Sequence, residues 1–130
     1  MTTVLLDSHV VHWWAAEPER VSERASATLG DAGDLAVSAI SWFELAWLAR
    51  HERIVVTIPI RSWLERLAAG VRTVGITPAI ADAAVSLPSS FPGDPADRLI
   101  YATAIEYGWQ LITKDKKLRR HRHPGTLTVW

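Results

Sequence analysis

Apolar residues in this chain fall into two kinds of stretch, and the two kinds alternate. Residues 4–6, 35–38 and 110–113 are short, continuous apolar runs, as expected of strands buried on both faces of a sheet. Residues 71–76 are a further strand candidate and 126–129 a last one. Between them lie stretches with helical spacing. Asp7-Ser8 starts a helix running toward Ala15, and Glu17-Pro18-Glu19 breaks the chain. Residues 21–29 read as a second helix closed by Gly30 and Gly33, and Ser41 opens a third through about Arg50. Residues 54–58 alternate weakly, an edge ribbon at best, ended by Pro59. Residues 62–69 are helical, with Trp63, Leu64 and Leu67 on one side, and Thr77-Pro78 caps a helix to about Val85. After a loop at 87–95, Pro95 begins a helix that runs to Tyr107, where Gly108 supplies the stop. Residues 115–119 form a short helical turn.

This alternation predicts an α/β fold, a three-layer α/β/α sandwich around a mostly parallel sheet of four or five strands. A length of 130 residues, with no internal repeat or linker, predicts one domain over residues 1–130. Crossovers in such a sheet are right-handed, and its ligand crevice lies beyond the carboxyl ends of the strands.

Composition narrows the chemistry. The absence of cysteine excludes disulfides, thiolate zinc sites and cysteine nucleophiles, and fits a reducing cytoplasm. No apolar run reaches the ~18 residues of a membrane span, and the N-terminus has no signal-peptide pattern. The net charge is zero but unevenly distributed. Lys114, Lys116, Lys117, Arg119, Arg120 and Arg122 gather within residues 114–123 against one acid, Asp115, and His121 and His123 extend the segment. Such a basic edge on an otherwise acidic body suits a phosphate backbone, although a solvated surface segment has the same composition.

Three acids follow apolar runs closely: Asp7 after Val4-Leu5-Leu6, Glu44 after residues 35–38, and Asp115 after residues 110–113. Asp97 lies in the first turn of the long helix preceding the last of these runs. A parallel sheet brings the first three to one rim, over which the helix carrying Asp97 can lean. Converging carboxylates repel one another, and a divalent cation keeps them ionised. Hard oxygen ligands suit Mg²⁺ or Mn²⁺, which serve hydrolysis of a phosphodiester. Each acid alone also reads as a helix cap: Asp7 and Asp115 as N-caps, Ser41-x-x-Glu44 as a capping box, and Asp97 behind the N-cap Asp94.

Four segments carry a resemblance: Val4-Leu5-Leu6-Asp7-Ser8-His9, Ser38-Ala39-Ile40-Ser41-Trp42-Phe43-Glu44-Leu45, Asp94-Pro95-Ala96-Asp97-Arg98 with the Leu99-Ile100-Tyr101-Ala102-Thr103-Ala104 that follows, and Leu111-Ile112-Thr113-Lys114-Asp115. In this order and spacing the chain resembles the PIN-domain family, and within it the VapC-like toxins. The resemblance implies that Asp7, Glu44, Asp97 and Asp115 bind one or two Mg²⁺ or Mn²⁺ ions for endonucleolytic cleavage of transfer or ribosomal RNA. It gives Ser8 and Thr113 the role of orienting a carboxylate or water. It also implies a small VapB-like, DNA-binding antitoxin whose segment covers the acidic pocket, and homodimerisation. Where much of the subgroup carries a His or Arg near Asp94, this chain has Phe91-Pro92-Gly93. Arg98 reads as a structural partner of an acid ahead of a phosphate contact.

Lys114, Lys116, Lys117, Arg119 and Arg120 are candidate RNA contacts. Seven tryptophans are many for this length, and Trp14, Trp42 and Trp47 are candidates for a groove that receives a partner. Two readings compete. A receiver-type signalling domain needs paired acids after the first strand and an Asp after the third, neither of which is present. A non-catalytic PIN-like binding module of nucleic acid or protein has no need of all four acids together.

Overall fold

The computed structural model describes residues 2–121 and 125–130. Five strands form one all-parallel sheet: β1 (Thr3–Leu6), β2 (Asp34–Ser38), β3 (Arg72–Val74), β4 (Gln110–Ile112) and β5 (Thr128–Val129), in the order β3-β2-β1-β4-β5. The three-layer sandwich expected from the sequence is present, with β1 at its centre. A receiver-type domain has the order 2-1-3-4-5 instead. Among the described residues no helix is long and apolar enough to cross a membrane.

The period-two alternation of the central strands builds two cores. Val4 and Leu6 of β1, Val37 of β2 and Ile112 of β4 face one way. There they meet α1 (Ser8–Ala16), α2 (Glu23–Asp31), α3 (Ala39–Arg50) and α4 (Ile60–Ala69), which contribute Val10, Val11, Ala25, Leu45 and Leu67. Leu5, Ala36 and Leu111 face the other way, against Ile100, Tyr101 and Ala104 of α6 (Pro95–Tyr107) and Leu118 of α7 (Lys116–Arg120). Burial on both faces explains why these strands read as unbroken apolar runs. Helix α5 (Pro78–Val85) packs Ile80 and Ala84 against Ala102 of α6.

Local signals hold where they are strongest. Asp94 caps α6, Pro95 is its first residue, and Gly108 ends it with φ of 68°. Four expectations shift. Residues 18–20 form a 3-10 turn, and α2 begins after its N-cap Ser22, whose hydroxyl accepts from the Ala25 N–H, so it starts later than residue 21 and runs through Gly30. Helix α3 begins at Ala39 instead of Ser41, because β2 runs straight into it and Ser38 is the cap. The strand at 71–76 is only three residues long, and the last strand only two. Residues 54–58 are not a strand: the Arg53 and Ile54 N–H groups turn back to the Leu48 carbonyl, and Ile54 is buried among the helices.

Leu5 is wholly buried in the central strand. Leu5→Ala should cost about 2–5 kcal/mol through lost transfer energy and a residual cavity. Val55, 86% exposed, should tolerate alanine with less than about 0.5 kcal/mol. Urea midpoints for the two variants check this contrast.

Candidate active site

Asp7 directly follows β1, and its backbone N–H donates to the Ile112 carbonyl at 3.0 Å, tying it to β4. One carboxylate oxygen accepts from the Ser8 N–H at 2.8 Å, which caps α1. The other accepts from the Thr113 hydroxyl at 2.6 Å. The same hydroxyl oxygen accepts from the Asp115 N–H at 3.1 Å, so one threonine joins Asp7 to the backbone of Asp115. Asp115 caps α7 through the Lys117 N–H at 2.8 Å.

Glu44 lies inside α3. Since that helix starts at Ala39, Ser41 is an interior residue and the expected capping box does not form. Glu44 instead accepts from the Ser8 hydroxyl at 2.6 Å, and that hydroxyl shares a second hydrogen bond, 2.9 Å, with the buried Ser41. Asp97 sits in the first turn of α6; its N–H donates to Asp94 at 3.1 Å, while its carboxylate has no hydrogen-bond partner among the described residues.

Arg98 fixes the approach to this turn. It donates to five carbonyls, those of Ala84, Leu87, Pro88, Phe91 and Pro92, at 3.0–3.3 Å. Its role is structural, as expected, but its partners are backbone carbonyls instead of an acid.

Asp7, Glu44, Asp97 and Asp115 all line one cavity of about 450 Å³. Burial raises the Asp7 carboxyl above its ordinary range, and Asp115 adds to this against the lowering effect of Thr113, Ser8 and His9. Burial likewise raises Glu44, with Asp7 and Asp94 adding to it and Ser8 opposing. Asp97 is pushed up to about 7, first by burial and then by Asp94, Asp7, Asp115 and Glu44. Such mutual elevation marks a concentration of negative charge without its counter-charge. Lys114 is the sole Lys or Arg on the wall among the described residues. The set of hard carboxylate oxygens fits Mg²⁺ or Mn²⁺ in kind. Among the described residues, no three acids or histidines are already gathered into a cation cage.

Sequence reasoning gave no site role to three lining residues, the buried Val10 and the rings of His9 and Trp13. His9 and Trp13 are one helical turn apart on α1, with rings 5.7 Å between centroids. The signal was available, since positions 9 and 13 share a helix face just after Asp7. The basic candidates divide. Lys114 is on the pocket wall, Lys117 and Arg120 line an adjoining cavity with Asp97 and Asp115, and Lys116, Arg119 and Arg120 line a third depression. Arg122 and His123 lie outside the described residues.

The three tryptophans of the expected groove differ in exposure. Trp14 is half-buried against the core beside Gly70, where an added Cβ would come within 3.1 Å of its ring. Trp42 is half-buried too and donates to the Thr73 hydroxyl at 3.0 Å. Only Trp47 of the three is open, at 44%, on the same face as Phe43 at 66%. Both line an apolar depression of about 420 Å³ that shares His9 and Glu44 with the carboxylate pocket.

A PIN domain family model matches residues 4–124. The chain is 69% identical to Ribonuclease VapC22 of Mycobacterium tuberculosis over 130 residues, covering all of both chains. Its fold is similar to a chain of a toxin-antitoxin complex from Klebsiella pneumoniae, with TM-score 0.68 and 21% identity over 98% of this chain and 96% of that one. It is also similar to a chain of VapBC2 from Rickettsia felis bound to a promoter DNA fragment, with TM-score 0.71 and 14% identity over 98% of each. An all-parallel sheet with four acids in order at one cavity, and a family match over nearly the full length, therefore have a common origin: this chain belongs to the PIN-domain family.

Proposed function

We propose that this chain is a divalent-metal-dependent endoribonuclease, the toxin of a toxin–antitoxin pair. The observation that carries the reading is the meeting of Asp7, Glu44, Asp97 and Asp115 at one cavity, in a chain 69% identical to a protein named a ribonuclease. Those four residues would hold one or two Mg²⁺ or Mn²⁺ ions. When bound, the metal supplies charge neutralisation at the scissile phosphate and a lowered pKa for water.

The chain's own groups do the positioning. Thr113 fixes the Asp7 carboxylate, and the Ser41–Ser8 hydroxyl pair fixes Glu44, so neither carboxylate must be reoriented when substrate arrives. Lys114 on the wall, with Lys117 and Arg120 next door, meets phosphates beside the scissile one. Water adds to phosphorus as the bond to the 3′ oxygen breaks; the proton passes to that oxygen, leaving a 3′-hydroxyl and a 5′-phosphate. A ribonuclease acting on transfer or ribosomal RNA, the substrates the family resemblance suggests, would work in the cytoplasm.

The relative's name and the complexes among the structural neighbours support a small antitoxin as partner. Phe43 and Trp47 beside the pocket offer apolar anchors for its covering segment.

Labelled transfer RNA incubated with Mn²⁺ should be cleaved, and EDTA should stop cleavage. Asp7→Asn should remove it. Thr113→Val, which keeps the side-chain shape and loses the hydrogen bond, should reduce it about 10–100-fold. Intact RNA in every lane at high protein and Mn²⁺ would favour the binding-module reading instead.

Metal-free stability should depend on pH with a definite sign. The Asp97 carboxyl is raised to about 7 in the folded chain and lies near 4 when unfolded. Between those values the folded state binds the proton more tightly, so stability is lost as pH rises through the window. Asp7 and Glu44, raised in the same direction, act with the same sign. In EDTA the urea midpoint should fall from about pH 5 to about pH 8. The fall should be shallower in Asp97→Asn, and equal slopes in the two proteins would contradict the coupling.

A further inference from the structure

The carboxylate pocket continues into a second, oppositely charged depression. The two are linked in two ways. The adjoining cavity shares Asp97 and Asp115 with the pocket, and shares Arg120 with the depression. On the other side Trp13, a wall of the pocket, meets Trp130 in the depression with ring centroids 5.9 Å apart.

This depression, about 620 Å³, gathers Arg24 from α2 with Lys116, Arg119 and Arg120 from α7. No acid lines it among the described residues, and none of the four cations has an ion-pair partner among them. All four are exposed. Thr126, Thr128 and Trp130 complete the wall. On a chain of zero net charge, four unpaired cations kept together across two distant segments mark a place for a polyanion.

We propose that this depression holds the single-stranded RNA flanking the cleaved bond, with Arg24, Lys116 and Arg119 on its phosphates and Trp130, braced from behind by Trp13, as the platform for a base. Cations that track the backbone beside an aromatic platform are the two components of a single-strand site, and here both adjoin the pocket. An acidic protein segment would answer the same cations, and the oligoglutamate arm of the test below separates it from RNA. Arg24 carries no other assigned role, and Trp130, packed by part of its ring against the core, is half-exposed in the depression. The inference rests on the ribonuclease reading for its occupant, because the pocket is what brings RNA to this edge.

The probe is a fluorescein-labelled 12-residue oligouridylate, with polarisation measured in EDTA over a salt series. The double variant Arg24→Ala/Arg119→Ala should bind about tenfold more weakly. The slope of log affinity against log salt should become shallower by about 1.4, the value for two lost phosphate contacts on a single strand. Trp130→Ala should weaken binding and leave the salt slope as it was. Arg61→Ala/Arg66→Ala, which removes two exposed arginines of α4, should match the parent protein. Equal affinity and slope in parent and Arg24→Ala/Arg119→Ala would overturn the proposal. So would failure of the parent to bind the oligomer, or an oligoglutamate that depends on Arg24 and Arg119 when the RNA does not. With Mn²⁺ added, the double variant should show a raised KM on the same oligomer. Absence of cleavage by the parent there would count against the nuclease reading alone, since binding in EDTA decides the groove separately.

Discussion

The structure depends on keeping a carboxylate, Asp7, at the end of its most buried strand. Strand β1 has a neighbour on each side, so whatever follows Leu6 is delivered to the middle of the sheet's carboxyl edge. Desolvation there works against a charge, and three more acids border the same cavity. The fold meets this with partial positive charge. Asp7 and Asp115 cap α1 and α7, and Asp97 stands in the first turn of α6, so three helix N-termini end at the cluster. Each contributes about 0.3–1 kcal/mol toward holding an anion. The elevation that remains at Asp7, Glu44 and Asp97 shows the compensation to be incomplete. A hard divalent cation matches the deficit in sign and in ligand type.

The same geometry removes a conflict between two readings of the sequence. Capping and cation binding looked like rival roles for these acids, yet a cap uses few of a carboxylate's lone pairs. Asp115 spends one oxygen on the Lys117 N–H. Asp7 gives each oxygen one donor and keeps further acceptor capacity on both. A strand that ends at a helix N-cap is therefore a means of placing an acid at the sheet rim, and capping leaves the proposed cation role open to it.

The strands nearest the centre were legible because burial on both faces leaves a continuous apolar run, as in Val4-Leu5-Leu6. Helix α6 was legible because Asp94, Pro95 and Gly108 each act locally. Residues 54–58 were misleading because β-branched side chains also suit a loop whose buried Ile54 serves the helix layer. The start of α3 was misread because Ser38 and Ser41 are both competent caps, and only the abutting strand decides between them. At the site, the four acids could be found by order. The Ser8–Ser41–Glu44 chain could not, since it joins residues 33 and 36 positions apart. Nor did the tryptophans reveal which of them would pack inward, because adjacent helical positions carry the same side chain to different faces.

Arg98 shows why a residue remote from the chemistry can still govern it. The segment between α5 and α6 carries two prolines, at 88 and 92, and Pro95 opens α6, which limits the local supply of backbone donors. Its carbonyls must nevertheless be satisfied close to the Phe91–Tyr101 ring contact. One planar guanidinium, with five donors in a fixed fork, gathers the carbonyls of Ala84, Leu87, Pro88, Phe91 and Pro92. Lysine offers only three rotatable donors and could not replace it. Since Arg98 adjoins Asp97 in the chain, the clamp that orders the loop also sets the first turn of α6 in place. The loop's backbone requirement and the position of the fourth carboxylate are thus met by the same side chain.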